Sequence, residues 1–309
     1  MKIVFLEAST IGDDIDLSVF ESFGEVVLYP STPKDKAVER IGDAQIVLTN
    51  KVMMDKETMA ACKNIKLICI TATGMDNVDL EAAAQQGIVV KNAAGYSTSS
   101  VAQTTIMLVL SLIGKSAYHD AYVKSGQWSQ SPIFTCLAKP FWEIKGKKWG
   151  IIGLGNIGKE VAKIASAFGA VVCYYSTSGA NNDSTYKRVE LSEMMSDCDI
   201  ISIHAPFNDK TNGLIQKEQL DLMKKGAVLV NVGRGGIVDE SDLADAIDNK
   251  GILAGIDVVA TEPIRKDNKL LHVRAKDNLM MTPHIAWASK EARTKLVEIV
   301  VENIKSFLK

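Results

Sequence analysis

Short runs of apolar residues, bounded by charged or small polar ones, recur along nearly the whole chain. They alternate with segments whose apolar positions fall three and four apart. In the first third the runs are KIVFLE, EVVLY, AQIVLTN, KLICIT and GIVVKN; between them stand KAVERIG, DKETMAACK and VDLEAAAQQG, which read as helices. Strands separated by helices predict parallel βαβ units with right-handed crossovers. Five strands by residue 92 are enough for a small doubly wound domain. A long helical stretch follows. Ser97 to Ile113 is apolar on most faces, which fits either a fully buried helix or a subunit interface. Ala117 to Gln127 reads as a second helix and Ser129 to Pro140 as a loop. Alternation then restarts with WGIIGLG, AVVCYY, DIISIHA, AVLVNVG, ILAGIDVV and LMMT, and an amphipathic helix spans Ser289 to Leu308.

Composition narrows the class. A chain of 309 residues suits one large or two medium domains, and 47% hydrophobic residues suffice for packed cores. The formal net charge is −2 and no basic block stands out, which argues against nucleic acid as a partner. No apolar run reaches membrane-spanning length, and the opening MKIVFLEAST reads as a first strand rather than a signal peptide, so no membrane partner is expected. Cys62, Cys69, Cys136, Cys173 and Cys198 are odd in number and scattered, without a C-x-x-C. They indicate a reduced cytoplasmic protein with no metal.

WGIIGLG runs into GLGNIG, Gly153 to Gly158, and then into a helix whose Val161, Ile164, Ala165 and Phe168 form one stripe. A glycine turn between a strand and an amphipathic helix is a dinucleotide fingerprint. Gly153 allows the tight turn, Gly155 lets the backbone approach a pyrophosphate, and Gly158 lets helix and sheet pack closely. The helix N-terminus offers N–H groups and positive dipole to the phosphates. An acid usually ends the next strand and holds the adenosine ribose. Here that place, 18 residues past Gly158, is Ser176, followed by Thr177 and Ser178. Without the acid NADP is not repelled. Yet the nearest cations, Lys187 and Arg188, lie eleven and twelve residues further on. Dual use of NAD and NADP and a weakened hold on NAD both fit.

In doubly wound sheets ligands bind outside the C-terminal ends of the strands. Arg234 follows AVLVNVG, Glu262 follows ILAGIDVV and His284 follows LMMT. Together they make an acid–base set. Histidine exchanges protons near neutral pH, a neighbouring carboxylate favours its imidazolium form, and arginine forks onto a carboxylate and polarises a carbonyl oxygen. Of the other histidines, His119 reads as solvated on a polar helix. His204 ends a strand and lines the cofactor groove through its backbone.

With TGMDNVDL, NAAGYSTSSVAQ, GIIGLGNIG, SIHAPFNDKTNGLI, NVGRGGIVDE, GIDVVATEP and TPHIAWAS in order, the sequence resembles the D-isomer-specific 2-hydroxyacid dehydrogenases over essentially its whole length. Within them it looks most like the glycerate dehydrogenase or hydroxypyruvate reductase group. The resemblance implies two doubly wound α/β domains with the active site between them: a flavodoxin-like substrate domain (1–98 with 284–309) and a Rossmann NAD(P) domain (99–283). It implies that His284 is the proton donor and acceptor, Glu262 its partner, and Arg234 the residue orienting the keto acid. The Thr73–Gly74 backbone would hold the substrate carboxylate, and Trp287 belongs to the substrate pattern. Thr105, Asn156, Ile157, Ala205, Pro206, Val232, Gly233 and Asp257 fall where the family contacts the nicotinamide dinucleotide. The expectation is an NAD- or NADP-dependent reductase of hydroxypyruvate and glyoxylate, acting as a homodimer. Two rivals stand beside it. One is a family member for a bulkier 2-keto acid, with Met53, Met54 and Met75 as a flexible wall; the other is a non-catalytic dinucleotide sensor.

Overall fold

The computed structural model describes residues 1–309. The chain forms two compact units, Met1–Ser97 with Ala288–Lys309, and Thr98–Trp287.

The first unit holds β1 (Lys2–Phe5), β2 (Glu25–Leu28), β3 (Ile46–Thr49), β4 (Leu67–Ile70) and β5 (Val89–Asn92) in one parallel sheet of order β2-β1-β3-β4-β5. This is the flavodoxin-type order. Every residue of β3 and β4 is buried, whereas the edge strands β2 and β5 are partly exposed. The continuous apolar runs thus mark the strands covered on both faces. α1 (Ala37–Ile41), α2 (Lys56–Ala61) and α3 (Leu80–Gln85) connect them. Asp55 and Asp79 start α2 and α3 by accepting the N–H of Thr58 and Ala82. The C-terminal helix, Lys290–Leu308, is capped by Ser289 and buries Leu296, Val297, Val300, Val301 and Ile304. Its Arg293 reaches Asp14 and Ile11 O, and its Asn303 donates to Asn92 O.

Glu7, just past β1, is buried yet fully satisfied. Its carboxylate accepts from Thr49 Oγ1 and from the N–H groups of Asn50, Lys51 and Val52 at 2.8–2.9 Å. Removing the carboxylate would leave those buried donors unmatched, so it fixes the loop after β3. No local pattern in the sequence announces this contact.

The second unit opens with α4 (Thr98–Ile113) and α5 (Ser116–Lys124). β6 (Lys148–Ile152), α6 (Asn156–Ala167), β7 (Val171–Tyr175), β8 (Lys187–Arg188), α7 (Leu191–Asp197) and β9 (Ile200–Ile203) follow. Then come α8 (Lys217–Leu222), β10 (Val228–Asn231), α9 (Glu240–Lys250), β11 (Leu253–Ile256) and β12 (Leu279–Met281). The parallel order is β12-β11-β10-β9-β6-β7-β8. The chain runs outward from β6 in one direction, then returns to build the other half from β9, so the switch point lies between β6 and β9. β8 was not foreseen; two exposed residues, Lys187 and Arg188, carry no apolar run to announce it.

Two expectations change. Of the two readings left open for the apolar helix, the core one holds for most of its surface. α4 buries Ala102, Leu108, Val109 and Leu112 against the sheet, where Gly255 leaves room for Leu108. The return to the first unit comes after Trp287, not before His284. Residues 284–287 stay with the second unit because Asp257 and Ser100 bind their backbone, as described next.

Candidate active site

The three fingerprint glycines meet different neighbours. Gly153 has φ +90°, and a Cβ there would lie 2.9 Å from Ala205 N and 3.0 Å from His204 C, so the turn is wedged against the end of β9. A Cβ on Gly158 would overlap Gly153 O, which locks α6 to the turn. A Cβ on Gly155 would point into open space. Gly155 is also the N-cap of α6 and brings no side-chain cap, so the first-turn N–H groups, those of Asn156 and Ile157 among them, receive no side-chain acceptor. Close packing behind, an open cradle in front and an uncapped helix start fit a pyrophosphate.

The backbone of His204 packs beside Gly153 at the end of β9, and its ring turns to Ser202. Its Nε2 meets Ser202 Oγ at 3.0 Å, Ser202 also accepts from Trp149 Nε1, and its Nδ1 is sealed without a partner. Burial pushes its pKa down to about 3, which favours the neutral ring. His119 was expected to be solvated; instead its Nε2 is buried, with the ring edge-on to Tyr118.

Two of the three candidate acid–base residues meet at the strand ends. His284 Nδ1 and Glu262 Oε2 are 2.6 Å apart. Both side chains remain part-exposed, 25% and 32%. The other Glu262 oxygen accepts from Val259 N at 3.2 Å. His284 has φ +54°, a left-handed conformation rare outside glycine. Asp257 imposes it. The Asp257 carbonyl accepts His284 N at 2.8 Å, and its buried carboxylate accepts Ile285 N and Ala286 N at 2.9 Å each and the Thr282 hydroxyl. Ser100 Oγ donates to Ala286 O at 2.6 Å and completes the clamp.

Arg234 sits on the turn after β10. Buried Asn231 shapes that turn, accepting Gly233 N at 3.0 Å and donating to Arg234 O at 2.9 Å. The Gly235 backbone presses on Val259 and Ala260, where a Cβ would overlap Val259 O. The loop bearing Arg234 therefore touches the start of the loop bearing Glu262. Glu240 accepts Ala260 N and Asn268 Nδ2 and so ties that second loop to the start of α9. Sequence reasoning singled out none of Asn231, Gly235, Glu240 and Ser100 for these positioning tasks. Asn231 alone carried a signal, an Asn ending a strand just before a glycine turn.

The remaining candidates divide. Ala205 and Val232 are buried at the ends of β9 and β10, and Pro206 is exposed beside them. Gly233 is part-exposed, and Trp287 packs partly against the core under α4. Ser176 is buried and accepts Asn181 N through Oγ at 3.3 Å, while Thr177 is half-buried. Two of the expected cofactor contacts are engaged within the protein. Thr105 is fully buried and its hydroxyl donates to Val101 O inside α4. Asp257 spends its carboxylate on the His284 turn. In the first unit, Thr73 and Gly74 lie on a turn after β4, pinned by Asn92 Nδ2 to Thr73 O at 2.6 Å and by Thr73 Oγ1 to Ala93 O at 3.1 Å.

Residues 106–286 match the model of the D-isomer specific 2-hydroxyacid dehydrogenase NAD binding domain. The chain belongs to the D-isomer-specific 2-hydroxyacid dehydrogenase family. It is 39% identical to a hydroxypyruvate reductase of Blautia hydrogenotrophica, over 100% of this chain and 97% of that protein. It is 37% identical to a glycerate dehydrogenase of Methylorubrum extorquens, over 99% and 96%. A solved NADPH-dependent glyoxylate/hydroxypyruvate reductase of Sinorhizobium meliloti, in complex with NADP and malonate, superposes with a TM-score of 0.83 at 26% identity, covering 100% of this chain and 93% of that one. This D-2-hydroxyacid dehydrogenase is therefore an oxidoreductase acting on the CH–OH group of 2-hydroxy acids with NAD or NADP. The glycine turn lies within the matched NAD-binding domain. No single helix is long and apolar enough to cross a membrane.

Proposed function

We propose that this dehydrogenase reduces hydroxypyruvate to D-glycerate and also accepts glyoxylate. The observation that carries the reading is the His284–Glu262 contact of 2.6 Å, held beside the Arg234 turn. The names of the relatives support the substrate. The nicotinamide dinucleotide, when bound, supplies the hydride for the carbonyl carbon. With Nδ1 committed to Glu262, His284 has Nε2 left for the substrate, and from it the proton passes to the carbonyl oxygen. Glu262 orients the ring that must give that proton. Arg234 pairs with the 2-keto acid and draws electron density toward the oxygen. The Thr73–Gly74 backbone N–H groups hold the carboxylate.

The test is initial-rate reduction of hydroxypyruvate, glyoxylate and a panel of bulkier 2-keto acids with each reduced dinucleotide. Hydroxypyruvate should give the highest kcat/KM. A bulkier acid in first place would move the substrate assignment, and no turnover with any would return the chain to the sensor reading.

We further propose a cytoplasmic homodimer. The odd, scattered thiols suit a reducing compartment. The segment after α5 carries a cluster of exposed apolar side chains. Ile133, Phe134, Leu137 and Phe141 are 60–89% exposed, and Trp128 adds its ring. Such density on one segment favours burial against a second copy. Light scattering should give twice the chain mass of 33.5 kDa. The double variant Phe134→Glu/Leu137→Glu should give one mass. A wild-type monomer would overturn the dimer, and an unchanged dimer in the variant would overturn this surface.

A further inference from the structure

The strand that follows the cofactor helix ends without an acid, and the structure shows what stands there instead. After β7 the chain turns sharply: Gly179 N donates to Ser176 O, and Asn181 Nδ2 donates to Leu154 O at 2.7 Å, which ties the turn to the glycine loop. The Tyr174 hydroxyl donates to Asn181 O and Asp183 O from beneath. The chain then enters β8, where Arg188 lies opposite Tyr174 in the ladder. From there the Arg188 side chain folds back over the turn. Its Nη1 donates to Gly179 O at 3.0 Å and Asn182 Oδ1 at 3.3 Å, and approaches Asn181 O.

The charge balance around this turn is uneven. Lys187 is paired with Glu193 at 2.8 Å and Lys159 with Asp183 at 2.9 Å. Arg188 forms no ion pair; its acceptors are neutral carbonyl and amide oxygens. A guanidinium held only by neutral acceptors, beside three hydroxyl residues and with no carboxylate at Ser176, is prepared for an anion. A phosphate would exchange those neutral bonds for charge-assisted ones, about twice as strong and often bidentate.

We infer that the Ser176–Asn182 turn and Arg188 seat the 2′-phosphate of NADP(H), and that Arg188 makes NADPH the preferred dinucleotide. The inference rests on the family's dinucleotide dependence, not on the keto acid. The eleven-residue gap between the strand end and the cations is bridged by the turn itself, which carries β8 back alongside β7.

The experiment measures Kd for NADPH, NADH, 2′,5′-ADP and 5′-AMP by calorimetry, on the wild type and on Arg188→Ala and Arg188→Lys, in low and high salt. The wild type should bind NADPH at least about tenfold tighter than NADH, as one charge-assisted pair predicts. Arg188→Ala should weaken NADPH and 2′,5′-ADP by about tenfold or more and change NADH and 5′-AMP less than about twofold. Arg188→Lys should fall between, and added salt should narrow the NADPH advantage. NADH bound as tightly as NADPH in the wild type would overturn the proposal. So would equal losses for both dinucleotides, or an unmoved NADPH Kd, in Arg188→Ala. Because binding is read without substrate, a protein that selects NADPH through Arg188 but fails to turn over hydroxypyruvate keeps this inference and loses the substrate assignment.

Discussion

His284→Asn is expected to lower kcat by about three orders of magnitude, within the range for loss of a general acid. Asparagine is the informative replacement. It tolerates the left-handed backbone at this position, φ +54°, better than most residues, so the clamp by Asp257 survives while the proton is lost. Dinucleotide Kd should stay within about threefold, because the phosphate cradle belongs to the glycine turn. Steady-state kinetics with parallel dinucleotide binding separates the two. Turnover near the wild-type rate would remove His284 from the chemistry. A loss of binding equal to the loss of rate would make it structural.

Gly235→Ala should be nearly as damaging although the residue touches no substrate. Its Cβ would overlap the backbone of Val259 and Ala260, and backbone cannot step aside as a flexible side chain can. The strain is relieved only by parting two loops, one bearing Arg234 and the other Glu262. Glu240 resists that movement by holding Ala260 N and Asn268. A shift of about 1 Å in such a site costs on the order of a hundredfold in rate, and the overpacking itself costs about 1–3 kcal/mol. We expect kcat/KM to fall by about a hundredfold and Tm by several degrees, with NADPH binding largely kept. Normal kcat/KM with a lowered Tm would show that the two loops move independently of the chemistry.

The sequence made the sheets legible because parallel strands buried on both faces read as unbroken apolar runs. β3, β4, β9, β10 and β11 are buried at every position. β8 was invisible because an exposed two-residue edge strand is defined by its neighbour rather than by its own residues. The pairing of His284 with Glu262 was legible in outline because each follows a strand, and parallel strands deliver their C-terminal ends to one edge. What holds the pair was not legible. Asp257 gripping residues 282–286, Glu240 gripping Ala260 and Gly235 pressing on Val259 all join points about 20 to 30 residues apart, and no periodicity records such contacts. Thr105 was legible as a motif position but not as a buried one. A motif position carried over by resemblance says nothing of how deeply the helix bearing it is buried.

The division of the first unit between the two ends of the chain has a consequence for its assembly on the ribosome. All five of its strands have emerged by residue 92, but the helix that packs on β4 spans Lys290–Leu308 and follows the whole of the second unit. The second unit lies wholly in between and has every strand and helix it needs before that helix appears. Domains fold as their segments become available during synthesis. The unit begun first is thus completed only after the second, and in the interval the face of its sheet that this helix covers lacks that cover.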